Sequence, residues 1–282
     1  MMTIAVTGAS GQLGCLVIEK LRETSAGVPL VALARTPGKL DGIGVETREA
    51  DYARPETLAT ALVGIDTLLL VSGNELGQRV QQHRNVIDAA KVAGVERIVY
   101  TSLLHADTSP LSLAPEHHRT EQDIRASGID FTFLRNGWYS ENYTGSIGPA
   151  LANGAFYGCA GNGKISSATR ADYADAAAIV LTHEGHAGKI YELAGDVAYT
   201  LADLAAEISA LSGRDIPYRD IPEAAYAAAL KQAGLPEGFA NAIASWDTGA
   251  STGALFDDGH ALSALIGRAT TPIGQSVQAA LP

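Results

Sequence analysis

One glycine-spaced turn constrains this chain more than any other feature. Thr7-Gly8-Ala9-Ser10-Gly11-Gln12-Leu13-Gly14 carries glycines at G-x-x-G-x-x-G spacing. The turn follows a short apolar run at residues 3–7. It opens residues 12–23, where Leu13, Leu16, Val17 and Leu21 recur at helical spacing. Strand, glycine turn and helix in that order make a site for a dinucleotide pyrophosphate. Without side chains at Gly8 and Gly11, a phosphate can approach backbone amides. Gly14 lets the helix pack closely on the strand. The helix N-terminus adds free N–H groups and partial positive charge. Gly8, Ala9, Ser10, Gly11, Gln12 and Leu13 are therefore the expected pyrophosphate contacts. A tight turn with no ligand is the competing reading of the same glycines.

The pattern after the turn keeps alternating. Residues 30–34, 45–49, 67–71, 97–101 and 131–135 read as strands, and 67–71 is continuously apolar, as in a parallel sheet covered on both faces. Between them, residues 55–63, 75–93 and 116–127 read as helices, with Pro55 at a first turn and Gly94 and Gly128 as stops. This order predicts an α/β fold, a Rossmann-type doubly wound parallel sheet. The second half is less regular. It offers a helix at 171–183, a strand at 189–194, a helix capped by Thr200 with Asp203, a strand at 216–220 and two or three further helices. The expected division is a dinucleotide-binding domain at 1–140, to which 165–195 returns, and a smaller intertwined C-terminal substrate region at 141–282.

Composition narrows the partners. The 282 residues include 20 basic and 31 acidic side chains, a net charge of −11. Such a chain repels nucleic acid and anionic membrane, so neither is expected as a partner. The N-terminus lacks a signal-peptide pattern and no apolar run reaches membrane-span length, which predicts a cytoplasmic protein. Two cysteines imply no disulfide framework. Among the seven histidines, His117 and His118 are adjacent and diverge on a helix. His105, His183 and His186 lack metal-ligand spacing, so no metal is expected. A monomer or homodimer is the expected state.

Arg35 ends the second strand, where an NAD site usually carries an acid. A guanidinium suits a 2′-phosphate and points to NADPH, although a solvated surface arginine is the plainer alternative. Asp51-Tyr52 and Ser72-Gly73-Asn74 follow the third and fourth strands, at the edge where such sheets bind ligands. Asp51 and Tyr52 could flank the adenine, and the second loop could run along a ribose; plain turn chemistry explains both loops equally well. After the sixth strand, Asn136 offers amide groups to a carbonyl. Trp138 and Tyr139 offer flat faces to a planar ring or, alternatively, anchor the second domain. Lys164 and Arg170 could meet phosphate or carbonyl oxygens, or remain solvated.

The catalytic Tyr-x-x-x-Lys pair of many dehydrogenases with this fold is missing. His117 and Glu121 occupy its two places, and Thr101-Ser102 sits where a helper serine would be. Reducing an aliphatic ketone makes a strongly basic alkoxide that needs a proton donor. Reducing a quinone makes a phenolate, with a pKa near the ~10 of tyrosine. The absent pair therefore favours quinone-like acceptors. His105 or His117 could assist protonation.

The chain resembles the NmrA-like atypical short-chain dehydrogenases, and among them the bacterial NADPH-dependent quinone oxidoreductases and the triphenylmethane dye reductases. The resemblance rests on residues 7–14, Asp51-Tyr52, 71–79 (VSGNELGQR), 100–110 (YTSLLHADTSP), 134–143 (LRNGWYSENY), 167–173 (SATRADY), 191–196 (YELAGD) and 255–258 (LFDD). It implies NADPH and a small-molecule quinone-like substrate; a flavin is not needed, because hydride can pass directly from nicotinamide to quinone. It places residues 8–13 on the pyrophosphate and Arg35 on the 2′-phosphate. It lays Ser72, Gly73 and Asn74 along the cofactor, and sets Asn136, Gly137, Trp138, Tyr139, Ser140 and Glu141 beside nicotinamide and substrate. Gly73-Asn74 departs from the serine-rich turn expected there. The rival reading is a non-catalytic NADP(H) redox sensor of the NmrA-like type, acting through a protein partner.

Overall fold

The computed structural model describes residues 2–25 and 27–282. Its first elements are β1 (Ile4–Val6), α1 (Gln12–Thr24), β2 (Leu30–Ala34), a short 3-10 turn (Pro37–Leu40), β3 (Glu46–Glu49), α2 (Pro55–Ala61) and β4 (Thr67–Leu70). The chain continues through α3 (Arg79–Ala93), β5 (Arg97–Leu103), α4 (Ala114–Ser127) and β6 (Asp130–Asn136). Then come α5 (Ser140–Thr144), α6 (Ile147–Asn153), β7 (Phe156–Gly158), α7 (Arg170–Thr182) and β8 (Ile190–Leu193). The remaining elements are α8 (Leu201–Ser212), β9 (Tyr218–Asp220), α9 (Glu223–Gln232), α10 (Glu237–Ser251), α11 (Ala261–Ile266) and α12 (Ile273–Ala280).

Seven strands form one sheet in the order β3-β2-β1-β4-β5-β6-β8, and β1 to β6 pair in parallel. The order reverses beside β1, which makes the ends of β1 and β4 the topological switch point of a Rossmann-type sheet. Two compact units emerge: one runs to Asp107 and adds residues 115–136 and 170–191, and the other holds 108–114, 137–169 and 192–282. In the first unit, Leu33, Leu58, Leu68, Leu70, Val86, Ile98, Tyr100 and Phe133 bury one face of the sheet against α2 and α3. Helices α1 and α7 pack together, joined at their rim by an ion pair between Lys20 and Asp175 at 3.1 Å. The second unit is helical, apart from parallel β7 and β9. Its α8 opens with the expected capping box between Thr200 and Asp203. Among the described residues, no helix is long and apolar enough to cross a membrane.

The structure corrects the sequence reading at several places. The helix expected from residue 75 starts at Arg79. Gly77 takes a left-handed φ of 80°, and the Glu75 carboxylate is drawn to Arg35 and Gln82. The strand expected over 216–220 keeps only its last three residues. Pro217 has no N–H to give a ladder, and both backbone groups of Ile216 bond Ser209 Oγ instead. Four helices close the chain, not two or three, because Pro272 starts one more. Helices α5 and α6, strand β7 and the 3-10 turn are too short to leave a periodic signal.

Candidate functional site

The glycine turn is built as a tight cradle. Gly8 has φ +58°, and its carbonyl accepts from the N–H of Gly11 at 2.8 Å. Gly11 is the N-cap of α1 and supplies no side-chain oxygen, and the first turn holds no acid. The amides opening α1 are thus not capped by a carboxylate of their own helix, as an anion site requires. A Cβ on Gly14 would lie 2.4 Å from the Gly8 carbonyl oxygen and 3.0 Å from Ala9 Cα. Gly14 therefore serves the turn itself, where the sequence reading assigned it to helix–strand packing.

Tyr52 is half-buried behind this cradle. Its hydroxyl sits between Thr7 Oγ1 and the Val71 carbonyl, tying together the ends of β1 and β4. Burial, slightly offset by the Thr7 hydrogen bond, pushes this phenol well above its usual range. Asp51 accepts from the Ala53 N–H at 2.9 Å and pairs with Arg54 at 3.2 Å, so it shapes the turn into α2. Arg35 follows β2 on the surface and pairs with Glu75 at 2.8 Å.

The loop after β4 is held from beneath. Ser72 N–H donates to Thr101 Oγ1 at 2.9 Å. Gly73 N–H donates to His83 Nε2 at 2.9 Å, and its carbonyl accepts from Arg79 Nε at 2.8 Å. The acceptor role of His83 Nε2 puts the ring proton on Nδ1, which then donates to Thr120 Oγ1 at 3.0 Å. Burial and nearby Arg79 lower the His83 pKa to about 3, so the ring is neutral. Arg79 also pairs with Glu116 at 2.8 Å. Asn74 is exposed. His83, Arg79, Gln82, Glu116 and Glu75 shape this loop, and no motif in the sequence marked them for that role.

The places of the absent tyrosine and lysine are filled by closed interactions. His117 is buried, with Nδ1 2.8 Å from the Tyr100 hydroxyl. Burial, with Arg79 and His83 nearby, pushes its pKa well below the usual histidine range. A neutral ring keeps one N–H but is a weak acid near neutral pH, and in the core His117 Nδ1 faces the Tyr100 hydroxyl. Glu121 accepts from Ser102 Oγ at 2.6 Å and from Arg135 Nε and Nη2 at 2.9 and 2.8 Å. Asp107 takes the other arm of Arg135 at 3.0 Å. His105 lies half-buried in the turn after β5 with a left-handed φ of 53°, an uncommon backbone for a side-chain-bearing residue.

Asn136 ends β6 at 4% exposure, and its carbonyl accepts from Leu104 N–H at 3.0 Å. Its side-chain oxygen is buried with no hydrogen-bond partner in the protein. Such an atom costs stability unless something else satisfies it. Together with the open amides of α1, this orphan acceptor fits a dinucleotide whose far end carries a carboxamide. Arg170 opens α7 in the same unit.

In the second unit, Gly137 N–H donates to the Leu193 carbonyl at 2.7 Å. Trp138 meets Trp246 edge to face at 5.8 Å, and Phe239 meets Trp246 at 6.2 Å. Trp246 Nε1 donates to Ser112 Oγ at 2.9 Å. Tyr139 bridges to Ala168 and takes the N-cap position of α5 without a side-chain capping bond, while Ser140 Oγ meets Ser167 Oγ at 2.9 Å. Glu141 lies in the first turn of α5. The aromatic cluster adds Trp246 and Phe239, which sequence reasoning missed because α10 gave no ligand motif. Among the described residues, no group of three or more histidine, cysteine or acidic side chains could hold a metal ion.

Residues 8–184 match the family model described as NAD(P)H-binding. Quinone oxidoreductase 2 of Escherichia coli is 56% identical, over 97% of this chain and 97% of that protein. The crystal structure of the E. coli NADPH-dependent quinone oxidoreductase QOR2 complexed with NADPH aligns with a TM-score of 0.95, covering 98% of this chain and 99% of that one. The Citrobacter sp. triphenylmethane reductase complexed with NADP(H) aligns with a TM-score of 0.94 at 38% identity, covering 99% of this chain and 100% of that one. With its glycine cradle, its Rossmann-type sheet and this full-length likeness, the chain belongs to the NAD(P)H-binding family, among the relatives of quinone oxidoreductase 2 and triphenylmethane reductase.

Proposed function

We propose that this protein is an NADPH-dependent oxidoreductase that reduces quinones and similar conjugated acceptors. The observation that carries the reading is that the places of the acid and its helpers are closed, His117 onto Tyr100 and Ser102 and Glu121 into one cluster with Arg135. A site so filled suits acceptors whose reduction leaves a phenolate, because these need little proton assistance. The likeness to quinone oxidoreductase 2 supports the same chemistry and disfavours the regulator reading.

Bound NADPH supplies a hydride. The chain's own groups hold and orient. The amides of residues 8–13 bind the pyrophosphate, and Arg35 takes the 2′-phosphate. Asp51 and Tyr52 back the adenine side. Ser72, Gly73 and Asn74 form a wall along the cofactor, and Arg170 adds positive charge. Asn136 Oδ1 accepts from the nicotinamide carboxamide, and Gly137, Tyr139, Ser140 and Glu141 border that ring. Trp138 and Tyr139 give the acceptor flat apolar faces. His105 is the remaining proton source. The first unit is the cofactor domain, and the second carries the candidate acceptor-binding residues Trp138 and Tyr139.

The test is NADPH oxidation by purified protein with and without benzoquinone-type acceptors, against an enzyme-free blank. Acceptor-dependent turnover is expected. Tight NADPH binding with no turnover on any quinone or dye would overturn the reading in favour of a sensor. Arg35→Ala is expected to weaken NADPH far more than NADH, and an equal loss for both would remove Arg35 from the 2′-phosphate.

A further inference from the structure

Arg35 is not an open socket. Its Nη1 donates to Glu75 Oε1 at 2.8 Å. The other oxygen of that carboxylate, Oε2, accepts from Gln82 Nε2 at 2.8 Å. Gln82 is buried, at 8% exposure, so Glu75 is tethered to α3. The loop carrying Glu75 is fixed on one side by His83 and Arg79 through the backbone of Gly73. On the other side, the Gln78 N–H closes a turn onto the Glu75 carbonyl at 3.1 Å. The carboxylate is thus delivered to Arg35 by the fold, although both side chains remain accessible, at 64% and 44% exposure.

We infer that Glu75 is a specificity-determining residue, an internal anion on Arg35 that a cofactor's 2′-phosphate must displace and that thereby limits the preference for NADPH over NADH. This rests on the reading of Arg35 as the 2′-phosphate partner. Two effects act in the same direction. The phosphate must take a donor already in use, and it must settle beside a carboxylate that Gln82 keeps nearby. A cofactor with a free 2′-hydroxyl carries no such charge and meets neither obstacle. Both obstacles are electrostatic and exposed, so each is modest and salt-sensitive.

Glu75→Gln removes the charge and keeps an oxygen for Gln82. Dissociation constants for NADPH and NADH are measured by titration of wild type and variant, at low and high salt, after melting curves confirm folding. The expected result is tighter NADPH binding, with the NADH-to-NADPH ratio of constants rising about two- to fivefold at low salt and less at high salt. Unchanged or weaker NADPH binding would overturn the inference; the weaker outcome would mean that Glu75 positions Arg35. Arg35→Ala, run alongside, separates the two failures. Selective loss of NADPH with an inert Glu75→Gln sinks only the role of Glu75. Equal loss of both cofactors sinks the Arg35 reading itself.

Discussion

Gly14 stands so close to Gly8 that a side-chain carbon on it would lie 2.4 Å from the Gly8 carbonyl oxygen. The contact is with backbone, so no rotamer can relieve it. Gly14→Ala is expected to push α1 off the turn at a cost of about 1–3 kcal/mol. NADPH affinity should fall with it, because the same amides open the helix. Melting curves and a cofactor titration check this; a variant matching wild type in both would show that the turn is softer than its geometry states.

Arg135 and Glu121 form a buried pair, at 7% and 2% side-chain exposure. Glu121→Ala leaves the guanidinium and Ser102 short of their acceptor. Urea unfolding should show a loss of about 3–5 kcal/mol. The double variant Glu121→Leu with Arg135→Met should recover most of it, since no buried charge is then stranded and the half-exposed Asp107 is left to water. A double variant as unstable as Glu121→Ala would argue that volume, not charge, governs the site.

Asn136→Ala separates a ligand role from a structural one. Its side-chain oxygen makes no hydrogen bond within the protein. Removing it should cost the cofactor-free protein less than about 1.5 kcal/mol. With NADPH and a quinone, kcat/KM should fall by about tenfold or more, the loss of one or two hydrogen bonds. A large drop in stability with little change in turnover would reverse the assignment.

Asp247 makes stability depend on pH. Burial, with Asp220 adding to it and two hydrogen bonds from Cys159 opposing, raises its pKa from 3.8 to about 6. The folded value lies above the unfolded one, so the native state holds this proton more tightly. Its contribution is fully present below pH 3.8 and is lost as pH rises through about 6. Asp247→Asn cannot ionise and keeps an oxygen for the Cys159 N–H. The stability of the variant relative to wild type should therefore rise between about pH 5 and about pH 8, by about 1.4 kcal/mol. A constant difference across that range would show that Asp247 titrates normally.

The sheet was legible because its signals are local. Apolar runs at residues 30–34 and 67–71 and the glycines of residues 7–14 each carry their own periodicity or backbone demand. The second half was harder for the same reason. Strand β7 has three residues, and its partner Tyr218–Asp220 lies far along the chain. No window of sequence contains both. The site divided along similar lines. Gly8, Arg35 and Asn136 stand beside strand ends, which an alternating pattern predicts. Glu75, His83 and Glu116 act through contacts that exist only once α3 and α4 are packed. For His117 the alignment located the backbone, not the Tyr100 hydroxyl that its ring faces.

At Ser72 and Gly73 the loop after β4 is anchored through its backbone, by Thr101, His83 and Arg79 beneath it. The next side chain, Asn74, is exposed and bears none of that load. Shape and chemistry are therefore inherited separately there. A library randomised at Asn74 would present many different surfaces on one unchanging main chain, which makes this loop a natural place to alter what the protein accepts without redesigning the fold that carries it.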